Sequence, residues 1–152
     1  MVISYTAAKK KQPKHKPQSV LVKDFMTKKL VSFHPDHSMH HAIVSLLKHG
    51  ISGAPVVDDD GKLVGVISEG DCLKQVMRGK YTNSPELMGT VGDYMTPDPV
   101  TIGSEDNIME IAKLFLKLRL RRFPVLENGK LVGQISQRDI LAAVDELRNN
   151  TW

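Results

Sequence analysis

The chain has 152 residues, of which 41% are hydrophobic and 25% charged, a composition typical of folded globular proteins rather than disordered or fibrous ones. Its net charge of +4 is concentrated in five lysines within residues 9–16, so a basic face for nucleic acid is not indicated. No apolar run approaches the length of a membrane span, and the lone Cys72 excludes an intrachain disulfide. Since the N-terminus also lacks the pattern of a secretory signal, these features predict a cytoplasmic protein.

Residues 1–19 are predicted to form a disordered basic tail, because they contain Pro13 and Pro17 and show no hydrophobic periodicity. A tail of this kind is able to touch nucleic acid or an anionic membrane. No aromatic residue is interleaved with its lysines, and no nucleic-acid-binding motif follows it. We therefore favour a solvated tail and do not expect nucleic acid as a partner.

A first repeat is predicted over residues 20–79, starting with a short strand at 30–33. The helix that follows has apolar residues at helical spacing, namely Met39, Ala42, Ile43, Leu46 and Leu47, and Gly50 is its predicted stop. Two strands, 54–57 and 63–68, then flank a turn at 58–61. A second helix begins after Ser68, with apolar positions Cys72, Leu73, Val76 and Met77.

After a turn-rich linker at 80–90, a second repeat over residues 91–152 shows the same order of elements. Its strand at 100–102 precedes a helix with apolar residues Ile108, Ile111, Ala112, Phe115 and Leu116. A hairpin follows, with strands 123–126 and 131–136 around the turn signal Asn128-Gly129. The last helix begins after Ser136 and has apolar positions Ile140, Leu141, Val144 and Leu147.

The two repeats are copies of one β-α-β-β-α unit, which predicts an α+β fold with pseudo-twofold symmetry. Met95 lies 69 residues after Met26, and Asp139 lies 68 residues after Asp71. One residue therefore differs between the copies, at the Asp58-Asp59-Asp60 turn. Two related clefts are expected between copies packed in this way.

The chemically richest motif is Ser-x-x-Asp, which occurs as Ser68 to Asp71 and again as Ser136 to Asp139. One interpretation is helix capping, with Ser as the N-cap and Asp in the first turn, worth about 0.5–2 kcal/mol per cap. The other is ligand binding, because a carboxylate accepts hydrogen bonds from a ribose diol and a helix start binds phosphate. The two interpretations are compatible, and both remain open at this point.

Three arginines precede the second strand of repeat two, in the segment Arg119-Leu120-Arg121-Arg122-Phe123-Pro124. Repeat one has the uncharged Ser52-Gly53-Ala54-Pro55 at the end of this segment. A solvated basic edge is one interpretation, and a phosphate site is the other, since the arginine fork matches phosphate oxygens. Arg121 and Arg122 alternate along an extended segment, so one of them is expected to face a cleft, and we favour Arg122.

Four histidines, His34, His37, His40 and His41, cluster at the start of the first helix. His37 and His41 are four residues apart and so share a helical face, which is one element of a metal site. No Cys or Glu at helical spacing completes the set, and repeat two has no histidine there. The sequence therefore predicts an exposed histidine cluster and no metal.

Three motifs occur twice and in the same order, namely Met-Thr at the beginning of each repeat, Pro-Val in the middle strand and Gly-x-Ile-Ser-x-x-Asp at the start of the last helix. This order of motifs closely resembles the CBS domain. The resemblance covers about residues 20–147 and identifies a stand-alone tandem pair, or Bateman module. It implies a regulatory protein that binds an adenosyl compound (AMP, ADP, ATP or S-adenosylmethionine) between its repeats. It also implies a homodimer, head-to-head or head-to-tail, that signals to a regulated partner protein.

The resemblance further implies crossed binding sites, in which the Asp grips ribose and a polar pair at positions 121 and 122 reaches the phosphates. One cleft would combine Ser68, Asp71, Val100, Thr101, Arg121 and Arg122. The other would combine Ser136, Arg138, Asp139, Val31, Ser32, Phe33, Ser52 and Gly53, with Gly53 and Ala54 leaving room for adenine. Because the arginines differ between the clefts, unequal affinities are expected, with the Asp71 cleft the tighter.

Adenine-nucleotide sensing is therefore the leading hypothesis. The alternative is a ligand-free module that serves only for dimerisation or protein interaction, although both Ser-x-x-Asp motifs are intact. An enzyme is not predicted, because the chain has no P-loop, nucleophile elbow or convincing metal set, and so no catalytic cofactor is expected.

Overall fold

The computed structural model describes residues 19–81 and 89–149, so the predicted tail, apart from Ser19, and most of the predicted linker lie outside the described residues. A 3-10 turn, Val22–Asp24, comes first. The helices are α1 (Met39–His49), α2 (Glu69–Tyr81), α3 (Val91–Tyr94), α4 (Ile108–Leu118) and α5 (Gln137–Asn149). The strands are β1 (Gly53–Val57), β2 (Leu63–Ser68), β3 (Thr96–Pro97), β4 (Ile102–Gly103), β5 (Arg122–Glu127) and β6 (Lys130–Ser136).

These strands form two three-stranded sheets, β1-β2-β3 and β4-β5-β6, and the predicted α+β class is confirmed. Each sheet contains the antiparallel hairpin that the turn residues predicted. Asn128 and Gly129 have φ of 51° and 78°, the two positive values that a tight type I′ hairpin requires. In the longer turn of repeat one, Asp58 Oδ1 accepts hydrogen bonds from the backbone N–H groups of Asp60 and Lys62, both at 2.9 Å.

The first strand of each repeat is shorter than predicted. In repeat two it is β4, which pairs in parallel with β5. In repeat one, residues 30–33 make only a parallel bridge between Phe33 and Val56, with Phe33 N–H donating to Pro55 O at 3.0 Å. In each repeat a helix, α1 or α4, connects this strand to the hairpin, as parallel pairing requires.

An exchange of segments joins the two repeats. We call residues 20–27 the first arm and residues 89–97 the second arm. The second arm supplies β3, which pairs with β2 of repeat one through Val66 and Thr96. The first arm pairs reciprocally with β6 of repeat two, where Thr27 and Gln134 exchange backbone hydrogen bonds of 2.9 and 3.0 Å. Each arm therefore completes the sheet of the other repeat, which the sequence analysis did not predict.

Two equivalent glycines allow the arms to approach the sheets closely. A Cβ on Gly65 would lie 2.6 Å from Met95 Sδ and 2.9 Å from the carbonyl oxygen of Thr96. A Cβ on Gly133 would lie 2.5 Å from Met26 Sδ and 2.9 Å from the carbonyl oxygen of Thr27. Since all four distances are shorter than van der Waals contact, the close approach of the arms requires glycine at both positions.

The buried residues form two cores, one for each sheet. One core contains Val91 of the second arm, packed with Phe33, Met39, Ala42, Leu46, Ala54, Val56, Ile67 and Cys72. The other contains Val22 of the first arm, packed with Ile102, Ile108, Ile111, Phe115, Phe123, Val125, Ile135, Ile140 and Ala143. Each core thus takes one fully buried valine from the arm of the other repeat, so hydrophobic burial stabilises the exchange.

The buried face of each helix is narrower than the apolar sequence pattern predicted. Leu47 and Leu116, at equivalent positions in α1 and α4, have 78% and 80% of their surface exposed. On α2 the predicted Leu73, Val76 and Met77 are exposed and Gln75 is buried instead; on α5, Leu141 and Val144 are exposed and Ala143 is buried. Each helix needs only a narrow stripe to cover a short sheet, so the flanking apolar residues have no intrachain core to enter.

Helices α1 and α4, which are equivalent in the two repeats, end with the same backbone conformation but with different residues. Gly50 ends α1 in the left-handed conformation, with φ of 60°, as predicted. Arg119 ends α4 with φ of 55°, although it is not a glycine. No helix in the described part of the chain is both long and apolar enough to cross a bilayer.

Candidate functional site

Both Ser-x-x-Asp motifs form capping boxes at the starts of α2 and α5. Asp71 Oδ2 accepts hydrogen bonds from the N–H and Oγ of Ser68 at 2.9 and 3.0 Å, and Asp71 N–H donates to Ser68 Oγ at 3.3 Å. In repeat two, Asp139 Oδ2 accepts from Ser136 N–H at 2.8 Å, and Asp139 N–H donates to Ser136 Oγ at 3.1 Å. The capping interpretation is therefore confirmed, and each box engages Oδ2 of its carboxylate.

The start of α2 is less open to a phosphate than the sequence indicated. Glu69 N–H donates to the carbonyl oxygen of Ser52 at 2.9 Å, and Asp71 N–H is used by the capping box. The Asp71 side chain is also only 6% exposed. A phosphate at this helix start would meet the N–H of Gly70, whereas its neighbours on either side already donate within the fold.

A cleft of about 580 Å³ lies between the repeats, above the start of α2. Repeat one contributes the end of its hairpin and the first turn of α2, and repeat two contributes its arm and the arginine segment. Four residues predicted for one cleft, Ser68, Val100, Arg121 and Arg122, line it together. The other lining residues are Ser52, Val66, Ile67, Glu69, Gly70, Leu73, Thr96, Asp98, Pro99, Arg119, Leu120 and Pro124.

Arg122 is the best-defined cation of the cleft. Its guanidinium donates a hydrogen bond to Ser52 Oγ and lies against Gly53, in the space that a Cβ on Gly53 would need. Burial, with a smaller effect from the neighbouring Arg121, lowers the pKa of Arg122 below its ordinary value, while Glu69 acts in the opposite direction. A half-buried cation whose charge is disfavoured in this way gains from an anion bound beside it.

Charge in the cleft is predominantly positive. Arg119, Arg121 and Arg122 line it together with the acidic Glu69 and Asp98. Within residues 19–81 and 89–149, none of the three arginines forms a salt bridge. The cleft thus presents three guanidinium groups without carboxylate partners, an arrangement suited to phosphate.

Several sequence predictions about site residues are corrected. Ser52 was predicted for the second cleft but lines the first. Gly53 lines neither cavity, and the Arg122 guanidinium occupies the space at Gly53 that was predicted to leave room for adenine. Phe33 was also assigned to the second cleft but is 2% exposed, with its ring packed in the core of repeat one. Neither cavity described here includes the remaining predicted residues Asp71, Thr101, Val31, Ser32, Ser136, Arg138 and Asp139.

Three charged residues of the cleft, Glu69, Asp98 and Arg119, were not among the predicted site residues. Asp98 and Arg119 have left-handed backbones, with φ of 49° and 55°. Asn128, in the hairpin turn, is the other non-glycine residue with positive φ in the described part of the chain. The signal for Arg119 was its alignment with the helix stop Gly50, which is an unusual place for a long charged side chain.

A second cavity, of about 460 Å³, lies between α1 and α2. Its walls are almost entirely apolar, formed by Ile43, Leu46, Leu47, Gly50, Ile51, Cys72, Leu73 and Val76, with Glu69 at one side. The neighbouring Asp71 and Glu69 add to the effect of burial in raising the pKa of the Cys72 thiol. This cavity lacks the convergent polar groups that orient a polar ligand.

The histidine cluster folds onto the first turn of α1. His34 Nε2 lies 2.8 Å from Asp59 Oδ1, and the backbone N–H of His34 donates a hydrogen bond to His37 Nδ1 at 3.0 Å. The rings of His37 and His41 are 4.5 Å apart. Among the described side chains, no group of three His, Cys, Asp or Glu residues is placed to hold a metal ion.

The chain is similar in sequence to known proteins of one family. A family model of the CBS domain matches residues 22–78 and 91–146. The chloroplastic CBS domain-containing protein CBSX1 of Arabidopsis thaliana is 33% identical over 85% of this chain, which spans 66% of that relative's length. CBSX2, also of Arabidopsis thaliana and chloroplastic, is 30% identical over 86% of this chain, again 66% of the relative.

Solved structures share the fold. The crystal structure of CBSX2 in complex with AMP superposes with a TM-score of 0.76 and 32% identity, covering 86% of this chain and 99% of that chain. The CBS domain pair of protein MJ0100, in complex with methylthioadenosine and S-adenosyl-L-methionine, superposes with a TM-score of 0.71 and 28% identity, covering 84% and 97%. AMP, methylthioadenosine and S-adenosyl-L-methionine all contain an adenosyl group.

Proposed function

Because this chain belongs to the CBS-domain family, we propose that it is a regulatory module that binds an adenine nucleotide in the cleft between its repeats. The observation that carries the proposal is Arg122, a half-buried guanidinium without an acidic partner among the described residues, in a cleft built by both repeats. An anionic ligand would supply the missing countercharge. The AMP complex of CBSX2 and the adenosyl complexes of the MJ0100 pair support an adenosyl ligand.

The proposed contacts follow from the cleft walls. Arg122 and Arg121 would bind the phosphates, with Ser68 and the Gly70 N–H close to the sugar end. Asp71 would reach the ribose diol through Oδ1, the oxygen outside its capping box. Val100 offers apolar contact for the adenine ring, and Thr101 would extend this wall. Of the candidates AMP, ADP, ATP and S-adenosylmethionine, the arginines favour those with phosphate.

A second, weaker site is proposed at the equivalent position of repeat two. Ser136 and Asp139 form the same capping box there. Arg138 would supply the cation, and Val31 and Ser32 would complete the proposed site. Arg121 and Arg122 have no charged equivalents in repeat one, which has Ser52 and Gly53 at those positions. The two sites should therefore differ in affinity.

The proposed mechanism is a population shift. A nucleotide that contacts α2 of repeat one and the arginine segment of repeat two adds a link across the interface between repeats. It moves an equilibrium between two arrangements only by its differential affinity for them. A regulated partner protein would recognise one of the two arrangements. The protein is thus proposed to act by regulation rather than by catalysis.

We also propose that the module is a homodimer formed through its helices. Four exposed leucines occupy equivalent places in the repeats, Leu47 with Leu116 and Leu73 with Leu141. The apolar cavity between α1 and α2 adjoins two of them. Large exposed apolar surface of this kind typically marks a protein interface. A cytoplasmic location stays a prediction, and both Arabidopsis relatives are described as chloroplastic.

The test is a binding screen with matched arginine variants. Thermal shift and calorimetry with AMP, ADP, ATP, S-adenosylmethionine, NAD and GTP would be run on wild type, Arg122→Gln and Arg138→Gln. We expect an adenine nucleotide to stabilise wild type and Arg138→Gln but not Arg122→Gln. The proposal is overturned if no adenosyl ligand raises the melting temperature at a ligand concentration about 100-fold above a micromolar Kd.

That negative outcome would favour a ligand-free dimerisation and protein-interaction module. The exposed leucines of α1, α2, α4 and α5 support this alternative. It predicts dimers whose stability does not depend on nucleotide.

A further inference from the structure

We propose that Arg119 sets the preference of the cleft for ligands with more than one phosphate. This inference rests on the proposed nucleotide-binding function and assigns a specificity role to a residue outside the predicted site. It starts from the backbone of Arg119 and from the position of its side chain in the cleft.

The backbone of Arg119 is one that glycine would adopt more easily. Arg119 caps α4 with φ 55° and ψ 33°, and its N–H donates to Phe115 O at 2.9 Å. Gly50 caps α1 in repeat one with φ 60° and ψ 34°, nearly the same conformation. An L side chain in this region clashes with its own backbone, so arginine here carries a cost that glycine avoids. Strain of this kind persists where the side chain has a use.

The side chain lies where it would meet the outer end of a bound nucleotide. Arg122 is half-buried and bonded to Ser52, so it marks the inner part of the cleft. Arg119 and Arg121 are exposed and line the same cleft. A first phosphate held by Arg122 would leave a second and third phosphate to extend towards the exposed arginines, where each added negative charge gains a charge-assisted contact.

Asp98 is the opposing charge. It lines the same cleft from the position directly after the second arm, also has a left-handed backbone, with φ of 49°, and is exposed. A carboxylate there repels a polyphosphate and offsets part of the attraction of Arg119. The balance between these two strained residues, one of each sign, would therefore determine how many phosphates the cleft accepts.

The test compares AMP, ADP and ATP by calorimetry on wild type and Arg119→Asn. Asparagine tolerates the left-handed conformation, so the variant removes charge while it keeps the helix cap. We expect the ratio of the AMP Kd to the ATP Kd to fall about tenfold, the loss of one charge-assisted hydrogen bond. Asp98→Asn should raise the same ratio. Gly50→Asn, the same cap outside the cleft, should leave it unchanged.

A second variant separates binding from folding. Arg119→Gly should raise the urea midpoint, because glycine relieves the strained cap, and should lower the ratio as Arg119→Asn does. If the ratio stays at the wild-type value in both Arg119 variants while wild type binds nucleotide, the inference is wrong and the proposed function stands. An equal loss of AMP and ATP affinity would also overturn it, and wild type that binds no nucleotide would overturn both.

Discussion

Gly53 and Arg122 occupy equivalent positions of the two repeats, and the guanidinium of Arg122 fills the space above Gly53. Equivalent residues touch one another only beside a pseudo-twofold axis, so this contact lies at the axis. A larger side chain at position 53 would compete with the Arg122 guanidinium for this space. Packing therefore favours a cleft with arginines on one side and none on the other.

We predict that Gly53→Ala destabilises the fold and weakens anion binding together. The new Cβ would meet the Arg122 guanidinium and would lie 2.9 Å from the carbonyl oxygen of Ile67, which cannot move freely. Overpacking of this type costs about 1–3 kcal/mol, measurable by urea denaturation. Gly70→Ala is the control, since its Cβ would meet nothing closer than Ser68 Oγ at 3.6 Å. Equal stabilities of the two variants would contradict the prediction.

The arm exchange is predicted to fail when either supporting glycine is replaced. Gly65→Ala and Gly133→Ala should each lower the free energy of unfolding by about 1–3 kcal/mol. Met95→Ala should rescue Gly65→Ala only in part, because it removes the sulfur but not the Thr96 carbonyl oxygen at 2.9 Å. Full rescue in denaturation experiments would show that the side chain alone, and not the arm backbone, limits the space.

Stability is predicted to fall as the pH drops below about 6.5, through His37. Burial, then His41 and His34, lower the pKa of His37 below its ordinary value of 6.5, and Asp36 partly opposes them. The unfolded chain therefore takes up the proton first, so full stability is present above pH 6.5 and is lost as the pH falls towards the folded-state pKa. Protonation of Nδ1 would also remove the acceptor for the His34 N–H.

The measurement for His37 is urea denaturation at several pH values. His37→Asn keeps an acceptor near the position of Nδ1 but does not titrate, so its stability should depend less on pH than that of wild type. His40→Asn, at an exposed position in the first turn of α1, should behave like wild type. An identical pH dependence in His37→Asn and wild type would assign the effect to another group.

The proposed homodimer is predicted to dissociate when charged residues replace leucines on its apolar helix surface. Leu47→Glu combined with Leu73→Glu places two carboxylates on the apolar surface beside the α1–α2 cavity. We expect the dimer to weaken at least about tenfold in sedimentation experiments, while the melting temperature of the monomer is nearly unchanged because both side chains are exposed. Lys48→Glu is the matched control. A wild-type chain that is monomeric at all concentrations would rule out the homodimer.

The sequence was a good guide wherever local chemistry determines the structure. Asn128-Gly129 predicted its hairpin, Gly50 its helix end, and each Ser-x-x-Asp its capping box, because these depend on a few adjacent residues. It was a poor guide to the partners of the arms. Met26-Thr27 and Met95-Thr96 are near copies, so the same pattern fits an arm that stays with its own repeat and one that crosses.

The errors at the site have the same origin. Ser52 was predicted for the second cleft but lines the cleft of the arginines, and Gly53 lies against Arg122, because the neighbours of both residues come from the other repeat across the pseudo-twofold axis. Phe33 was taken for a cleft residue, since its sequence neighbours do not reveal that α1 and β1 enclose its ring. Leu47 and Leu116 fit an apolar stripe, but periodicity does not tell whether the surface they face belongs to the same chain.

The exchange of arms has a consequence for the ancestry of this fold. A chain with a single repeat would lack a partner strand for its sheet and a valine for its core. Two such chains would complete each other reciprocally, as in a domain-swapped dimer. The tandem chain has the connectivity that fusion of such a dimer would give, in which a covalent connection replaces the encounter of two molecules. Fusion also allows the two halves to differ in sequence, as they do at Arg122 and Gly53.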